Sequence, residues 1–376
     1  SEDKTTTAFP GGYVKDPQVG MHDWVMSFDL NSLYPNIIVQ YNMSPETLLT
    51  MPGAEGATAS NGAVFTKAKK GIIPEIVEEL YDKRVIVKKE MLEAKTKLET
   101  ISKRQRNEHI ATTAQVARLE TLQTAIKILM NSLYGAMGIK YFRYFDLRIA
   151  SAITLTGQEV IKYAETNVNN YLDEFIGESK DRVIAMDTDS LYIGVKDVVD
   201  KFKPGNPVSF LDEFGSKAIE PMLDKAFDKF AKESNAYTNR MVMKREAIAD
   251  RGVWTAKKRY ILNVHNNEGV QYAEPKIKVT GIEAVKSSTP QVCRTAMKEM
   301  FKIIVNGDEE KTQEAIKLFK EHFKSLSPDE VAFPRGVTNI SKWASASTIY
   351  EKGTPIHVRG SLLYNKAIKD NGLEKK

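Results

Sequence analysis

Three aspartates stand where strands could present carboxylates. Asp29 follows the apolar run Trp24-Val25-Met26-Ser27-Phe28. Asp187 and Asp189 lie in Asp187-Thr188-Asp189-Ser190, between the runs Arg182-Val183-Ile184-Ala185-Met186 and Leu191-Tyr192-Ile193-Gly194-Val195. Two apolar runs around a short acidic turn predict a β-hairpin. Hard divalent cations want carboxylate oxygens, and Mg²⁺ takes only one or two from the protein, with water and phosphate completing its shell. Carboxylates held at the ends of buried strands suit a two-metal site for phosphoryl transfer. Aspartate is also an ordinary turn residue, so each one alone reads equally as a turn former, and spacing cannot show that they meet.

A second group is cationic. Lys127, Asn131 and Tyr134 are spaced four and then three apart, on one face of a helix. Arg84 and Lys88, also four apart, share a face with Tyr81. If the two helices carrying them form an antiparallel hairpin, these cations approach one another and an anion, a triphosphate being the obvious one, relieves their repulsion. A solvated polar face is the alternative. In Lys257-Lys258-Arg259-Tyr260, read as the opening of a strand, alternation sends Lys258 and Tyr260 to one face and Lys257 and Arg259 to the other. A basic run with an aromatic fits nucleic-acid backbone contact, and equally an exposed edge strand.

The elements that must position these residues follow from periodicity. Long helical stretches run from about Glu75 to Glu108 and from about Ile110 to Leu133, with Leu119, Leu122, Ile126, Leu129 and Leu133 as an apolar stripe on the second. The basic connection holds Lys103, Arg104 and Arg106. Another helix spans about Thr156 to Phe175, buried through Val160, Ala164, Val168 and Leu172. Helical signals return at 211–232, strand-like runs at 241–243 and 260–264, and helices at about 290–305 and 308–323. Residues 1–20 read as a polar leading arm and 51–63 as a loop.

The 376 residues are 42% hydrophobic and 27% charged, which fits a soluble globular protein of one to three domains. No run approaches the length of a membrane span, and Ser1 to Pro10 has no signal-peptide pattern. The single cysteine, Cys293, cannot form an intrachain disulfide and points to a reducing cytoplasm. The net charge of +5 is mild support for nucleic-acid binding.

These residues carry a resemblance. Asp29-Leu30-Asn31-Ser32-Leu33-Tyr34-Pro35 resembles the first signature of family B DNA polymerases. Lys127-x-x-x-Asn131-Ser132-x-Tyr134-Gly135 resembles the second, Asp187-Thr188-Asp189-Ser190 the third, and Lys257-Lys258-Arg259-Tyr260 the primer-strand motif. All four occur in the family's order, and the likeness runs from about Gly11 to Lys366, most like the replicative polymerases of tailed bacteriophages.

The resemblance implies an α+β right hand. A palm with an antiparallel sheet is expected over 1–72 and 137–281, helical-hairpin fingers over 73–136 and a partial, mostly helical thumb over 282–376. It implies a DNA-directed DNA polymerase that takes primer–template DNA and dNTPs and uses two Mg²⁺ ions. Asp29, the Leu30 carbonyl and Asp189 would hold the metals, with Asp187 and Glu246 as neighbouring catalytic acids. Ser32, Leu33, Tyr34, Arg84, Lys88, Lys127, Asn131, Tyr134 and Gly135 would bind the nucleotide, Lys127 also acting in catalysis. Tyr34 would exclude a 2′-hydroxyl, and Lys257, Lys258, Arg259 and Tyr260 would bind DNA. The expectation extends to a divided or truncated enzyme, with a separate exonuclease-bearing subunit, and with a sliding clamp engaged only through missing segments or a partner. A non-catalytic DNA-binding replisome module is the alternative. Four positions depart from the family pattern: Ala185-Met186 replaces the usual Tyr-Gly, Lys244 stands where an acid is common, and Asn266 stands where the phage enzymes carry Asp.

Overall fold

The computed structural model describes residues 10–102 and 105–372. The chain separates into two compact units, up to Thr280 and from Gly281 onward. Lys103 and Arg104, expected in the basic connection, lie outside the described residues.

The first unit is built on strand β1 (Gly20–Leu30). Helix α1 (Leu33–Gln40) follows, and then the short strands β2 (Leu48–Leu49), β3 (Ala57–Thr58) and β4 (Val64–Phe65), which form a small sheet of their own. Helices α2 (Ile72–Thr100) and α3 (Arg106–Met137) come next, then α4 (Leu147–Ile176). The hairpin β5 (Val183–Asp187) and β6 (Ser190–Gly194) precedes α5 (Lys196–Phe202) and α6 (Pro207–Phe214). A π-helical turn, Gly215–Ile219, joins α6 to α7 (Glu220–Glu233). Strands β7 (Met243–Ala256), β8 (Arg259–Asn267) and β9 (Val270–Thr280) complete the unit. The main sheet has the order β5-β6-β1-β7-β8-β9, every pair antiparallel. The fold is α+β.

Alternation along β1 explains how this sheet serves two faces. Met26, Phe28 and Leu30 enter the large core with Val160, Ile161, Ala164 and Val168 of α4 and Leu223 and Phe227 of α7. Val25 joins a smaller cluster on the other side with Ile184, Tyr192, Trp254 and Tyr260. Asp29 and Ser27 are in step with Val25, so the carboxylate emerges on the face opposite the large core.

Of the polar leading arm, residues 1–9 lie outside the described residues, and the described part packs against the hairpin. Its backbone lies along β5: Lys15 N–H donates to the Met186 carbonyl at 3.1 Å and Gln18 N–H to the Ile184 carbonyl at 2.9 Å. Lys15 also binds Glu165 and Asp181, each at 2.6 Å.

The predicted helical hairpin forms and is antiparallel: Arg84 faces Gln123 while Lys97 faces Glu108. Its apolar seam is Met91 and Ala94 against Val116 and Leu119. The expected leucine stripe is corrected here, since Leu122 and Leu129 are exposed and only Leu119 of that set is buried. Farther along α3 the burial moves to Met130 and Met137, as the helix leaves its partner for the body of the unit.

Of the run read as a strand at 241–243 only Met243 lies in a strand, where it opens the 14-residue β7. The run Tyr260–Val264 belongs to β8, and β9 has no counterpart in the sequence-based expectation. Pro275 is tolerated in β9 because that strand is the sheet edge.

The second unit contains α8 (Gln291–Val305), α9 (Glu309–Ser325), the single turn α10 (Pro328–Val331), a two-residue ladder of β10 (Ala344–Ser345) with β11 (Ile349–Tyr350), and α11 (Ile356–Asp370). No helix among the described residues is long and apolar enough to cross a membrane.

Candidate active site

The two aspartates that sequence spacing could not bring together are neighbours. β1 pairs with β6 so that Asp29 lies directly opposite Ser190. Ser190 Oγ donates to Asp29 Oδ1 at 2.9 Å. The Leu30 N–H donates to the Asp189 carbonyl at 2.9 Å. The acidic turn thus closes over the end of β1, and Asp29 and Asp189 line the same cavity.

That turn is built under strain. Thr188 has φ 58°, a left-handed conformation that a β-branched residue rarely takes. The leading arm holds it there: Thr188 N–H donates to the Tyr13 carbonyl at 2.8 Å. Gly12 lies so close that a Cβ would come within 2.5 Å of Thr188 Oγ1. The two apolar runs signal the hairpin in the sequence, but nothing there signals this clamp.

Burial and like charge act on the carboxylates. The Asp29 carboxyl is pushed up to about 7, first by burial, then by the Asp189 and Glu246 charges. Burial also raises Asp189, with Lys127 opposing. Two buried carboxylates that resist ionising side by side form an oxygen-only donor set short of positive charge. This suits a hard divalent cation that takes one or two protein oxygens. Among the described residues no group of three or more His, Cys, Asp and Glu side chains could hold a metal, so water and a phosphate-bearing ligand would have to complete the shell.

The other two acids are engaged differently. Asp187 pairs with Lys258 at 3.1 Å, so the acidic turn and the basic motif meet. Glu246 accepts from Ser27 Oγ at 3.2 Å and from Lys278 Nζ at 2.9 Å, which occupies both its oxygens. Burial alone would lower the Lys278 pKa, but Glu246 reverses this and raises it. The sequence reading missed Lys278.

A cavity of about 410 Å³ opens beside the aspartates. Its lining includes Asp29, Asp189, Ser32, Leu33, Tyr34, Arg84, Lys88, Lys127, Asn131, Tyr134 and Gly135, together with Asn31 and Thr188. Every residue that the resemblance assigned to a nucleotide faces this one space. Ser32, just before α1, sits at φ 47° and makes no capping bond. Its hydroxyl instead accepts from Arg84 Nη1 at 2.9 Å. The α1 amides at Leu33 and Tyr34 have no partner within the helix, and both residues line the cavity. The Arg84 guanidinium is also fixed by Gln123 Oε1, at 3.3 and 3.2 Å. Lys88 pairs with Glu268, at the turn between β8 and β9.

Tyr34 is wedged in place. Its ring centroid lies 4.7 Å from that of Tyr134. On its other side is Gly157 of α4, where a Cβ would reach within 2.9 Å of Tyr34 Cε1. Burial raises the Tyr34 pKa, so the phenol stays neutral.

The basic motif departs from its expected geometry. Lys257 and Lys258 form the turn between β7 and β8, and Lys258 adopts φ 60°. The proposed alternation of faces therefore does not apply: turn residues follow no strand period. Tyr260 does not present a free ring, since it is buried in the second core cluster. Its hydroxyl meets that of Tyr192 at 2.6 Å and its ring stacks on Trp254. Lys258 reaches the acidic turn, and Lys257 pairs with Asp16 at 3.0 Å.

Comparison with known proteins gives the lineage. The sequence profile of DNA polymerase family B matches residues 1–344. The chain is 35% identical over 430 aligned positions to the DNA-directed DNA polymerase of Escherichia phage RB69, covering 96% of this chain and 47% of that protein. For the DNA-directed DNA polymerase of Enterobacteria phage T4 the identity is 34%, covering 97% and 48%. For a DNA polymerase of Pyrococcus glycovorans it is 30%, covering 88% and 36%. The chain spans about half the length, or less, of the curated relatives it matches. With strand-borne aspartates, helix-borne cations and this likeness across nearly the whole sequence, the chain belongs to DNA polymerase family B.

Proposed function

We propose that this chain is the catalytic core of a DNA-templated DNA polymerase, adding deoxynucleotides to a primer 3′-hydroxyl. The observation that carries the reading is the single cavity in which Asp29 and Asp189 face Arg84, Lys88, Lys127 and Asn131. In this reading the main sheet is the palm, the α2–α3 hairpin the fingers and the second unit part of a thumb.

Asp29 and Asp189, with the Leu30 carbonyl, would hold two Mg²⁺ ions. Bound there, the ions would acidify the attacking hydroxyl and neutralise charge on the phosphates. Arg84 and Lys127 grip the triphosphate, Arg84 already aligned by Gln123 and Ser32. The α1 amides add dipolar stabilisation at the same end. The primer 3′-hydroxyl gives its proton to water, its oxygen forms a bond to the α-phosphorus, the bond to the β-bridging oxygen breaks, and pyrophosphate leaves in line. Asp187 holds Lys258 at the acidic turn, where its ammonium can meet the primer's terminal phosphate. Tyr34, wedged between Tyr134 and Gly157, forms the floor under the sugar and leaves no room for a 2′-hydroxyl. Base choice is left to pairing with the template, and affinity for primer–template falls steeply with salt.

Primer extension with four dNTPs and Mg²⁺, with ribonucleotides as control, tests the reading. Incorporation should vanish in Asp189→Ala, while Tyr34→Ala should accept ribonucleotides. Asp189→Ala that still extends primers, or a wild-type chain that binds DNA but incorporates nothing, overturns it in favour of a non-catalytic DNA-binding module.

A further inference from the structure

Glu268 occupies a position that its side chain should avoid. It and Gly269 form the two-residue turn between β8 and β9, at φ 49° and φ 83°. Positive φ at both central positions is the geometry in which Asn-Gly and Asp-Gly predominate. Glutamate there gives up local stability, and such departures from local preference concentrate at functional places. What holds the turn is specific: Glu268 forms an ion pair with Lys88 of α2.

Lys88 lies where two spaces meet. One is the 410 Å³ cavity that it lines with Asp29 and Lys127. The other is a groove of about 970 Å³ running along α2, also lined by Glu268. Glu268 lines the groove, and its pair with Lys88 engages an ammonium whose side chain also borders the smaller cavity. Farther along the hairpin, Lys276 of β9 pairs with Glu99 of α2. Between these two ion pairs lies a gap of about 250 Å³, bordered by Leu92, Val116, Val270 and Tyr272. Among the described residues, two partly exposed ion pairs flank this gap where the hairpin meets the β8–β9 arm. Such partly exposed pairs contribute little to stability and exchange readily.

We propose that Glu268 is a stand-in anion: it holds Lys88 until the phosphates of a nucleotide displace it, and so sets nucleotide affinity as a positioning residue. The inference rests on the polymerase reading above and adds to it an acidic residue that competes with the substrate. Lys88 exchanges one carboxylate for a polyphosphate, and the hairpin loses its ion pair to the β8–β9 turn in the same event. Nucleotide binding and release of the hairpin are thereby coupled without any separate hinge.

The test is a double-mutant cycle on the full chain. Titration of the Mg²⁺ complex of inorganic tripolyphosphate is followed calorimetrically for wild type, Glu268→Asn, Lys88→Gln and the double variant. Asparagine suits the turn, so Glu268→Asn should keep or raise the melting temperature and still remove the competing charge. We expect about three- to fivefold tighter binding in Glu268→Asn, weaker binding in Lys88→Gln, and no effect of Glu268→Asn once Lys88 is gone. Hydrogen exchange at 266–270 should rise when tripolyphosphate binds the wild type. Unchanged or weaker binding in Glu268→Asn, or the same gain without Lys88, overturns the proposal while leaving the polymerase reading intact. No tripolyphosphate binding by any of the four proteins overturns both.

Discussion

Two helices of nearly equal length show how the molecule divides its work. α4 has 30 residues, and twelve of them are buried, from Ile149 to Leu172. α2 has 29, and only Pro74, Val77, Met91 and Ala94 are buried. Between Val77 and Met91 no residue of α2 is fully buried, and that stretch carries Tyr81, Arg84 and Lys88. α4 supports the sheet that fixes the aspartates. α2 carries cations on a span tied down mainly by ion pairs and hydrogen bonds. In the proposed polymerase, carboxylates sharing a cation need fixed spacing. In the same proposal, cations that admit a triphosphate and let pyrophosphate go need freedom to move. The difference in burial supplies both.

The largest effects should separate these regions by chemistry. Asp29→Ala should lower incorporation by about 10³-fold or more and leave the melting temperature unchanged or higher, because it removes a buried carboxylate repelled by Asp189. Lys127→Ala should cost about 10²-fold, with KM for the nucleotide rising together with the loss in kcat. Equal losses from both, or a melting temperature that collapses in Asp29→Ala, would erase the contrast between a fixed and a yielding half. Primer-extension kinetics and calorimetric melting read the two outcomes.

How far the sequence revealed this follows from which interactions are local. The β5–β6 hairpin, the end of β1 and the buried face of α4 could be read because alternation, turn chemistry and helical period are written in adjacent residues. β7 and β9 could not: Met243–Ala256 and Val270–Thr280 carry charges, and their ladders shift register at bulges, so no clean two-residue period survives. Lys258 was misplaced because a two-residue turn replaces the first residues of the expected strand. The leucine stripe on α3 misled because a helix can leave one partner for another partway along, which periodicity cannot show. The supports of the site were invisible for a different reason. Gly12 beneath Thr188, Gly157 beside Tyr34, Lys278 on Glu246 and Glu268 on Lys88 each join residues far apart in the chain, and no local pattern marks them.

Stability should divide along the same line. Phe28 is fully buried in the large core beneath the site, and Phe28→Ala should cost about 3–5 kcal/mol. Leu119 sits in the small seam of the hairpin with Met91, Ala94 and Val116. Leu119→Ala should cost about 2–3 kcal/mol, with the loss confined to the hairpin: faster exchange in α2 and α3 and unchanged protection in β1 and β6. Denaturant melts with residue-resolved hydrogen exchange would show it. Equal deprotection of the sheet in Leu119→Ala would mean that the two regions unfold as one.

The smallest effect is carried by protons. The Asp29 carboxyl is held near 7 in the fold, against an ordinary value of 3.8, chiefly by burial and then by Asp189 and Glu246. The folded protein therefore binds more protons than the unfolded chain between about pH 4 and 7. Stability falls as pH rises through that window, and the whole penalty is present above it. A divalent cation binds the ionised pair and should relieve the penalty where protons no longer do. Without Mg²⁺, the melting temperature should drop by a few degrees from pH 5 to pH 8. Millimolar Mg²⁺ should restore it at pH 8 and change little at pH 5. Asp29→Asn removes the charge that both ligands neutralise, so it should flatten the pH slope and abolish the Mg²⁺ shift. A wild-type melting temperature that rises across this window, or a Mg²⁺ shift that persists in Asp29→Asn, would place the strain on other residues and leave the aspartate pair without its proposed cation.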